Sequence, residues 1–261
     1  MKEKYDRIGQ GYNDTRTADP YLLSRMQALL AFESGEQVLD IGCGTGNYTI
    51  ALAEAGLNMI GVEPSEQMLL TARSRNARVT WRSGKAEQIP LADESVDAVL
   101  ASLTLHHWQD LGQGFKEIAR VLKPGGRFVI FTATPAQMRG YWLNHYFPQM
   151  LADSMQQMPT WQAIEQAIEG AGLALNETEP YEIKDELEDH FLYVGKNRPA
   201  IYLDPVIRHG ISSFSDLSRQ EEVMGGLMQL ANDIESGVVK KLIASYAHDK
   251  GDYLFVLGQR A

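Results

Sequence analysis

Three glycines spaced by two, Gly42, Gly44 and Gly46, carry the plainest chemical signal in this chain. They follow a short apolar run, Val38-Leu39-Asp40-Ile41, that holds a single acid. They precede a helical pattern, Ile50-Ala51-Leu52-Ala53-Glu54-Ala55, which Gly56 stops. A strand that passes through glycines into a helix brings bare backbone N–H groups close to a ligand. In a doubly wound sheet, that turn at the carboxyl end of the first strand is where a nucleotide-like cofactor sits. A second acid, Glu63, ends the next apolar stretch, 21 residues past Gly42. The offset is close to the ~20 residues at which an acid takes ribose hydroxyls in dinucleotide folds. Nicotinamide folds prefer Gly-x-Gly-x-x-Gly, whereas Asn47 follows Gly46 here, so spacing alone leaves nicotinamide and other adenosyl cofactors both open.

The other reactive residues are few. Cys43 is the one cysteine, which excludes an intramolecular disulfide and a cysteine-cluster metal site. Inside the glycine turn it reads as a small filler and not as a nucleophile. His106 and His107 follow an apolar run. Adjacent residues point apart, so a shared metal is not expected, and no metal site is assigned. Histidine titrates near neutrality, which makes either one a candidate general base for a hydroxyl substrate.

Composition narrows the class further. The 261 residues suffice for a full core, and 44% apolar with 22% charged is ordinary globular composition. A net charge of −10 repels phosphate backbones, so no nucleic-acid partner is expected. The basic pieces, Arg73 to Arg78 and Lys240-Lys241, read as solvated helix faces. No apolar run approaches a membrane span, and Met1 to Arg7 lacks the apolar segment of a signal peptide. The expectation is a cytoplasmic protein without a membrane partner, monomer or homodimer.

These residues need a scaffold, and the hydrophobic pattern supplies one. Pro20 opens a helix with Leu22, Met26 and Leu29 on one side. Apolar strands are expected at 38–41, 58–63, 79–82, 96–103 and 127–132, with Lys123-Pro124-Gly125-Gly126 as a hard stop before the last. Helices alternate with them, notably one carrying Leu111, Phe115, Ile118 and Leu122. That alternation argues for a parallel sheet covered on both faces. Residues 135–158 then turn rich in aromatics and methionine, and a helix follows from Trp161 with Ile164 and Ile168. Further strands are expected at Leu173–Ile183 and Asp252–Gly258. Residues 185–250 read as mostly helical, with Ser218 and Glu221 fitting a capping box.

The residues themselves go further than their spacing. Asp40-Ile-Gly-Cys-Gly-Thr-Gly46 resembles the signature of class I S-adenosylmethionine-dependent methyltransferases, in the type 11, UbiE-like small-molecule group. The resemblance continues in order through Gly61-Val-Glu63-Pro-Ser65-Glu-Gln-Met68, Gly84-Lys-Ala86-Glu87-Gln-Ile-Pro90, Val96-Asp97 onward to Ser102-Leu-Thr-Leu-His106-His107, and Glu117 to Gly126. It covers about residues 1–134.

The resemblance implies an α/β fold: a doubly wound, Rossmann-like sheet of seven strands with the last antiparallel, and a helical lid inserted after strands 5 and 6. The cofactor-binding core is then 1–134 with 159–184 and 251–261, and the insertions are 135–158 and 185–250. It implies S-adenosyl-L-methionine as cofactor, S-adenosyl-L-homocysteine as product, and a small-molecule methyl acceptor. By position, Gly42, Gly44 and Gly46 approach the methionine and ribose, and Asp40 helps hold the ammonium group. Glu63 accepts from the ribose hydroxyls, with Pro64 beside it, and Met68 packs on the adenine. Ala86 and Glu87 lie at the adenine edge, and Ser102 and Leu103 border the methionine. Tyr5, Tyr12 and Arg16 resemble an N-terminal element that closes over the cofactor, Arg16 suiting its carboxylate. Lys85 departs from the pattern, because many members place an acid there and lysine accepts no hydrogen bond. The aromatics Tyr141, Trp142, Tyr146 and Phe147 are expected on the acceptor pocket wall. An oxidoreductase on a related fold and a non-catalytic cofactor-binding module are the alternatives.

Overall fold

The computed structural model describes residues 15–215 and 219–261. Its centre is one sheet of seven strands in the order β3-β2-β1-β4-β5-β7-β6. These are β1 (Gln37–Ile41), β2 (Asn58–Glu63), β3 (Thr80–Ser83), β4 (Val96–Ser102), β5 (Leu122–Thr132), β6 (Leu173–Tyr181) and β7 (Tyr253–Arg260). β1 to β5 pair in parallel, and β7 runs antiparallel between β5 and β6. The chain winds outward from β1 to β3 and returns to β4 on the other side of β1. That reversal opens a crevice at the carboxyl ends of β1 and β4.

The first helices are α1 (Pro20–Leu30), α2 (Asn47–Glu54), α3 (Glu66–Arg75) and α4 (Leu111–Val121). After β5 come α5 (Pro135–Met138), α6 (Leu143–Tyr146), α7 (Pro148–Gln157) and α8 (Trp161–Gly170). After β6 come α9 (Pro205–His209), α10 (Gln220–Glu235) and α11 (Val238–Ser245). Side chains alternate across a strand, and this divides the core in two. Val38, Ala98, Leu100, Val129 and Phe131 face a cluster that includes Leu22 and Met26 of α1 and Leu52 of α2. Leu39, Ile41, Val99, Phe128 and Ile130 face Phe115 and Ile118 of α4 and Ile164 and Ile168 of α8.

Local chemistry sets the helix starts. Asp19 accepts from the Leu22 amide at 2.8 Å just before Pro20, and Asp110 caps α4 through Gln113 at 2.9 Å. Side-chain caps of this kind satisfy amides that the first turn leaves unpaired.

Two expectations need correction. Lys123–Gly126 does not separate α4 from β5. Leu122 already pairs with Val96, the register then shifts, and Arg127 pairs with Ala98, so the Pro-Gly-Gly stretch bulges out of a strand that continues past it. Residues 185–198 are turns and irregular chain, not helix. Ser218, which opens the expected capping box with Glu221, lies outside the described residues, and Arg219 stands at the start of α10. The acid that caps a helix here is Glu222, which accepts from the amides of Gln149 and Met150 at 2.7 and 2.9 Å and so closes the open end of α7.

The segments after β5 and β6 share a core with the sheet. Tyr141, Trp142, Phe147, Tyr202 and Leu230 belong to the same cluster as Val38 and Phe131. No helix among the described residues is long and apolar enough to cross a membrane.

Candidate active site

A cavity of about 930 Å³ opens at the carboxyl ends of β1, β2 and β4. One wall is the glycine turn with Asp40, Glu63 and Met68. The facing wall comes from the segments after β5 and β6 and from β7, with Met138, Tyr141, Met150, Phe191, Ile211 and Tyr253.

The turn is built from left-handed glycines, with φ of +71° at Gly42, +57° at Gly44 and +83° at Gly46. A Cβ at Gly42 would run into the Thr104 side chain, and one at Gly46 into the Trp81 ring. At Gly44 the nearest atom would be Met68 Sδ, 3.8 Å away. Gly42 and Gly46 are therefore glycine for packing as well as conformation, while Gly44 is the one whose missing side chain leaves room on the cavity side.

Two buried carboxyls flank this turn. The Gly44 amide donates to Glu63 Oε2 at 3.1 Å and the Ser65 amide to Oε1 at 2.9 Å. Burial pushes the Glu63 carboxyl up, and these two amides pull it partly back. Asp40 is 4% exposed and accepts from Thr49 Oγ1 at 2.6 Å. Burial raises its pKa to about 7, Thr49 opposes the rise, and the charge of Glu63 adds to it. Burial also lifts the Cys43 thiol well above its ordinary range, with both acids contributing, which favours the protonated form.

The segment entering α1 meets the turn from one side. Arg16 forms an ion pair with Asp189, which is almost fully buried. Asn47 Nδ2 donates to the Arg16 carbonyl at 2.7 Å, and Tyr48 Oη donates to Asp189 at 3.2 Å. Tyr5 and Tyr12 lie outside the described residues. Arg75, read from sequence as a solvated helix face, donates to Thr45 O at 2.9 Å and to Asn47 Oδ1 at 2.5 Å, fastening the turn to the end of α3.

Pro64, Met68, Lys85, Glu87, Ser102 and Leu103 all line the cavity. Ala86 does not. Its methyl is buried in the second core cluster, because the chain turns it inward between Lys85 and Glu87. Glu87 accepts from the amides of Gln109 and Asp110 before α4. Leu103 holds φ of +51°, and its amide donates to Phe131 O at 2.8 Å, which pins the chain as it leaves β4.

His106 and His107 both face the cavity from a single 3₁₀ turn, Leu105–His107. The expectation that adjacent residues point apart fails here. Their ring centroids lie 3.8 Å apart at 51°, since the tight turn swings both rings to one side. No group of three or more potential metal ligands occurs among the described residues.

Of the four aromatics expected on the acceptor wall, Tyr141 alone lines the cavity. Trp142, Tyr146 and Phe147 turn into the shared core: Trp142 donates to Lys196 O at 2.9 Å, Tyr146 to Asp233 at 2.9 Å, and Phe147 packs on Phe214. Tyr141 and Trp142 lie between the short helices α5 and α6, Tyr146 ends α6 and Phe147 precedes α7, so the four do not share one helical face.

This donor set suits an adenosyl amino acid. Asp40 and Glu63 have burial-raised pKa values and border the space beside Gly44, which favours a ligand that brings a cation and hydroxyl donors.

Comparison with known proteins agrees with the geometry. A family described as a methyltransferase domain matches residues 39–130. The crystal structure of a putative methyltransferase from an antibiotic biosynthesis pathway of Anabaena variabilis superposes with a TM-score of 0.83. The two are 32% identical over 95% of this chain and 99% of that one. The chain belongs to the class I S-adenosylmethionine-dependent methyltransferases. Within that family it is 36% identical over 125 residues to the ubiquinone/menaquinone biosynthesis C-methyltransferase UbiE of Rubrivivax gelatinosus, across 47% of this chain and 48% of that protein. It is 37% identical over 139 residues to a demethylmenaquinone methyltransferase of Tropheryma whipplei, across 50% of this chain and 57% of that one. The chain thus spans about half the length of the curated relatives it matches.

Proposed function

We propose that the protein transfers a methyl group from S-adenosylmethionine to a small-molecule acceptor and releases S-adenosylhomocysteine. The observation that carries this reading is the pair of buried acids, Asp40 and Glu63, on either side of Gly44 at the mouth of one large cavity. Asp40 would hold the ammonium group, Glu63 the ribose hydroxyls, Met68 the adenine face, and Arg16 the carboxylate. Ser102 and Leu103 would border the methionine chain.

The sulfonium supplies an already activated methyl group, so the protein's task is alignment and exclusion of water. The residues after β5 and β6 would act as a lid and acceptor site, with Tyr141, Phe191 and Tyr253 as aromatic wall and Met138 and Met150 as adaptable apolar filling. A partly apolar small molecule fits that lining. The name of the Anabaena relative, which refers to antibiotic biosynthesis, supports an acceptor of this size. His106 or His107 would take the proton when the acceptor is a hydroxyl.

Thermal shift against S-adenosylhomocysteine and NAD, followed by product release over a panel of phenols, amines and carbon acids, tests the reading. At about 100-fold excess over Kd, a true ligand raises Tm by roughly 5–10 °C. A shift with NAD alone points to an oxidoreductase. Binding of S-adenosylhomocysteine without turnover on any acceptor points to a binding module.

A further inference from the structure

Arg16 and Asp189 come from distant parts of the chain and meet at the cavity beside the first turn of α2. The contact is a fork. Nε donates to Oδ1, and Nη2 donates to Oδ2 at 3.3 Å. A two-point grip on one edge of a guanidinium fixes its plane as well as its position.

The surroundings hold both partners in place. The Tyr48 hydroxyl donates to Asp189 Oδ2 at 3.2 Å, and Asn47 holds the Arg16 carbonyl at 2.7 Å. On either side of the pair the two segments are stitched together. The His190 amide donates to Thr15 O at 3.0 Å, the Glu188 amide to Asp19 Oδ2 at 3.0 Å, and Thr17 Oγ1 to Glu188 O at 3.3 Å. Asp189 sits in irregular chain and is 1% exposed. A buried ion pair is weak support for stability, because desolvation offsets its attraction. Its strength is in fixing geometry.

We propose that Asp189 is a positioning residue that aims Arg16 at the carboxylate of the cofactor. This rests on the function proposed above. The pair carries no net charge, so Arg16 recognises the carboxylate through directed N–H groups and not through a positive field. Asp189 thereby links the segment after β6 to the glycine turn, and it makes the amino-acid end of the ligand the part whose recognition depends on that segment.

Titration calorimetry with two ligands tests this. S-adenosylhomocysteine carries the amino-acid carboxylate, and 5′-methylthioadenosine keeps the adenosine and the thioether but lacks it. D189N is expected to weaken S-adenosylhomocysteine about tenfold or more and to change methylthioadenosine less than about twofold. Y48F removes one hydroxyl from the same carboxylate and is expected to give a smaller loss with the same selectivity. Should D189N fail to fold, Y48F decides alone. If Asp189 only neutralises Arg16, D189N tightens S-adenosylhomocysteine. If it only supports the fold, both ligands weaken equally. Either result overturns the positioning role, as does unchanged binding of both. Wild-type protein that binds neither ligand overturns the cofactor reading and this inference with it.

Discussion

The amide of Gly44 donates to the carboxylate of Glu63 at 3.1 Å, so the turn after β1 is fastened to the end of β2. The same carboxylate is the proposed ribose acceptor. Glu63→Gln keeps the size and removes the charge, and its amide nitrogen cannot accept from the backbone. Hydrogen bonds to a charged group contribute ~1.5–3 kcal/mol each. The Kd for S-adenosylhomocysteine should rise roughly tenfold to a hundredfold in calorimetric titration, and an unchanged Kd would remove Glu63 from the site.

Gly42 and Gly44 should respond differently to alanine. At Gly42 the new methyl strikes Thr104 in a left-handed backbone, so Gly42→Ala should lose ~2–4 kcal/mol in urea denaturation. At Gly44 the nearest atom is 3.8 Å away, and the cost is the backbone strain of ~1–2 kcal/mol. Gly44→Ala should therefore stay folded and lose cofactor binding, because its methyl occupies ligand space.

The raised pKa of Asp40, about 7, has a stability consequence. An ordinary aspartate titrates near 3.8. Below that value the group is protonated in both states. Between about 4 and 7 the unfolded chain ionises it and the folded protein does not, so stability falls as pH rises, and the loss is complete above 7. Asp40→Asn abolishes this pH dependence. The stability of the variant relative to wild type should grow by roughly 2–3 kcal/mol from pH 5 to pH 8. Parallel denaturation curves at the two pH values would contradict it.

The adjoining His106 and His107 rings bear on the chemical step. With a hydroxyl acceptor, replacing the histidine that serves as base by alanine should lower kcat ~10²–10⁴-fold and flatten the acid limb of the pH–rate profile. If both alanine variants retain wild-type turnover and profile, neither histidine moves the proton.

The sequence made the cofactor side legible because its signals are local. β1, the glycines, Asp40 and Glu63 fall within one strand–turn–helix–strand unit, where period and glycine placement report directly on backbone geometry. Thr104 against Gly42 and Thr49 against Asp40 were invisible as roles, although both residues lie near motifs that were visible. Asp189 had no local signal, since it meets Tyr48 across 141 residues of chain in a stretch with no periodic pattern. Trp142, Tyr146 and Phe147 misled because aromatic composition does not say which way a ring points where the chain passes between short helices. The Pro-Gly-Gly stretch misled because a bulge and a strand boundary use the same residues.

The position of β6 matters for how the molecule avoids its own kind. β6 lies at one border of the sheet and, among the described residues, pairs only with β7, so its outer row of peptide groups faces away from the other described strands. Glu177 is exposed on it, Glu179 is ion-paired to Arg25, and Pro180 removes one N–H. The opposite border, β3, has only the four residues Thr80–Ser83. Charge, proline and brevity are the devices that keep strand edges from templating another chain. Both margins of this sheet are thus protected against cross-β growth in the folded state.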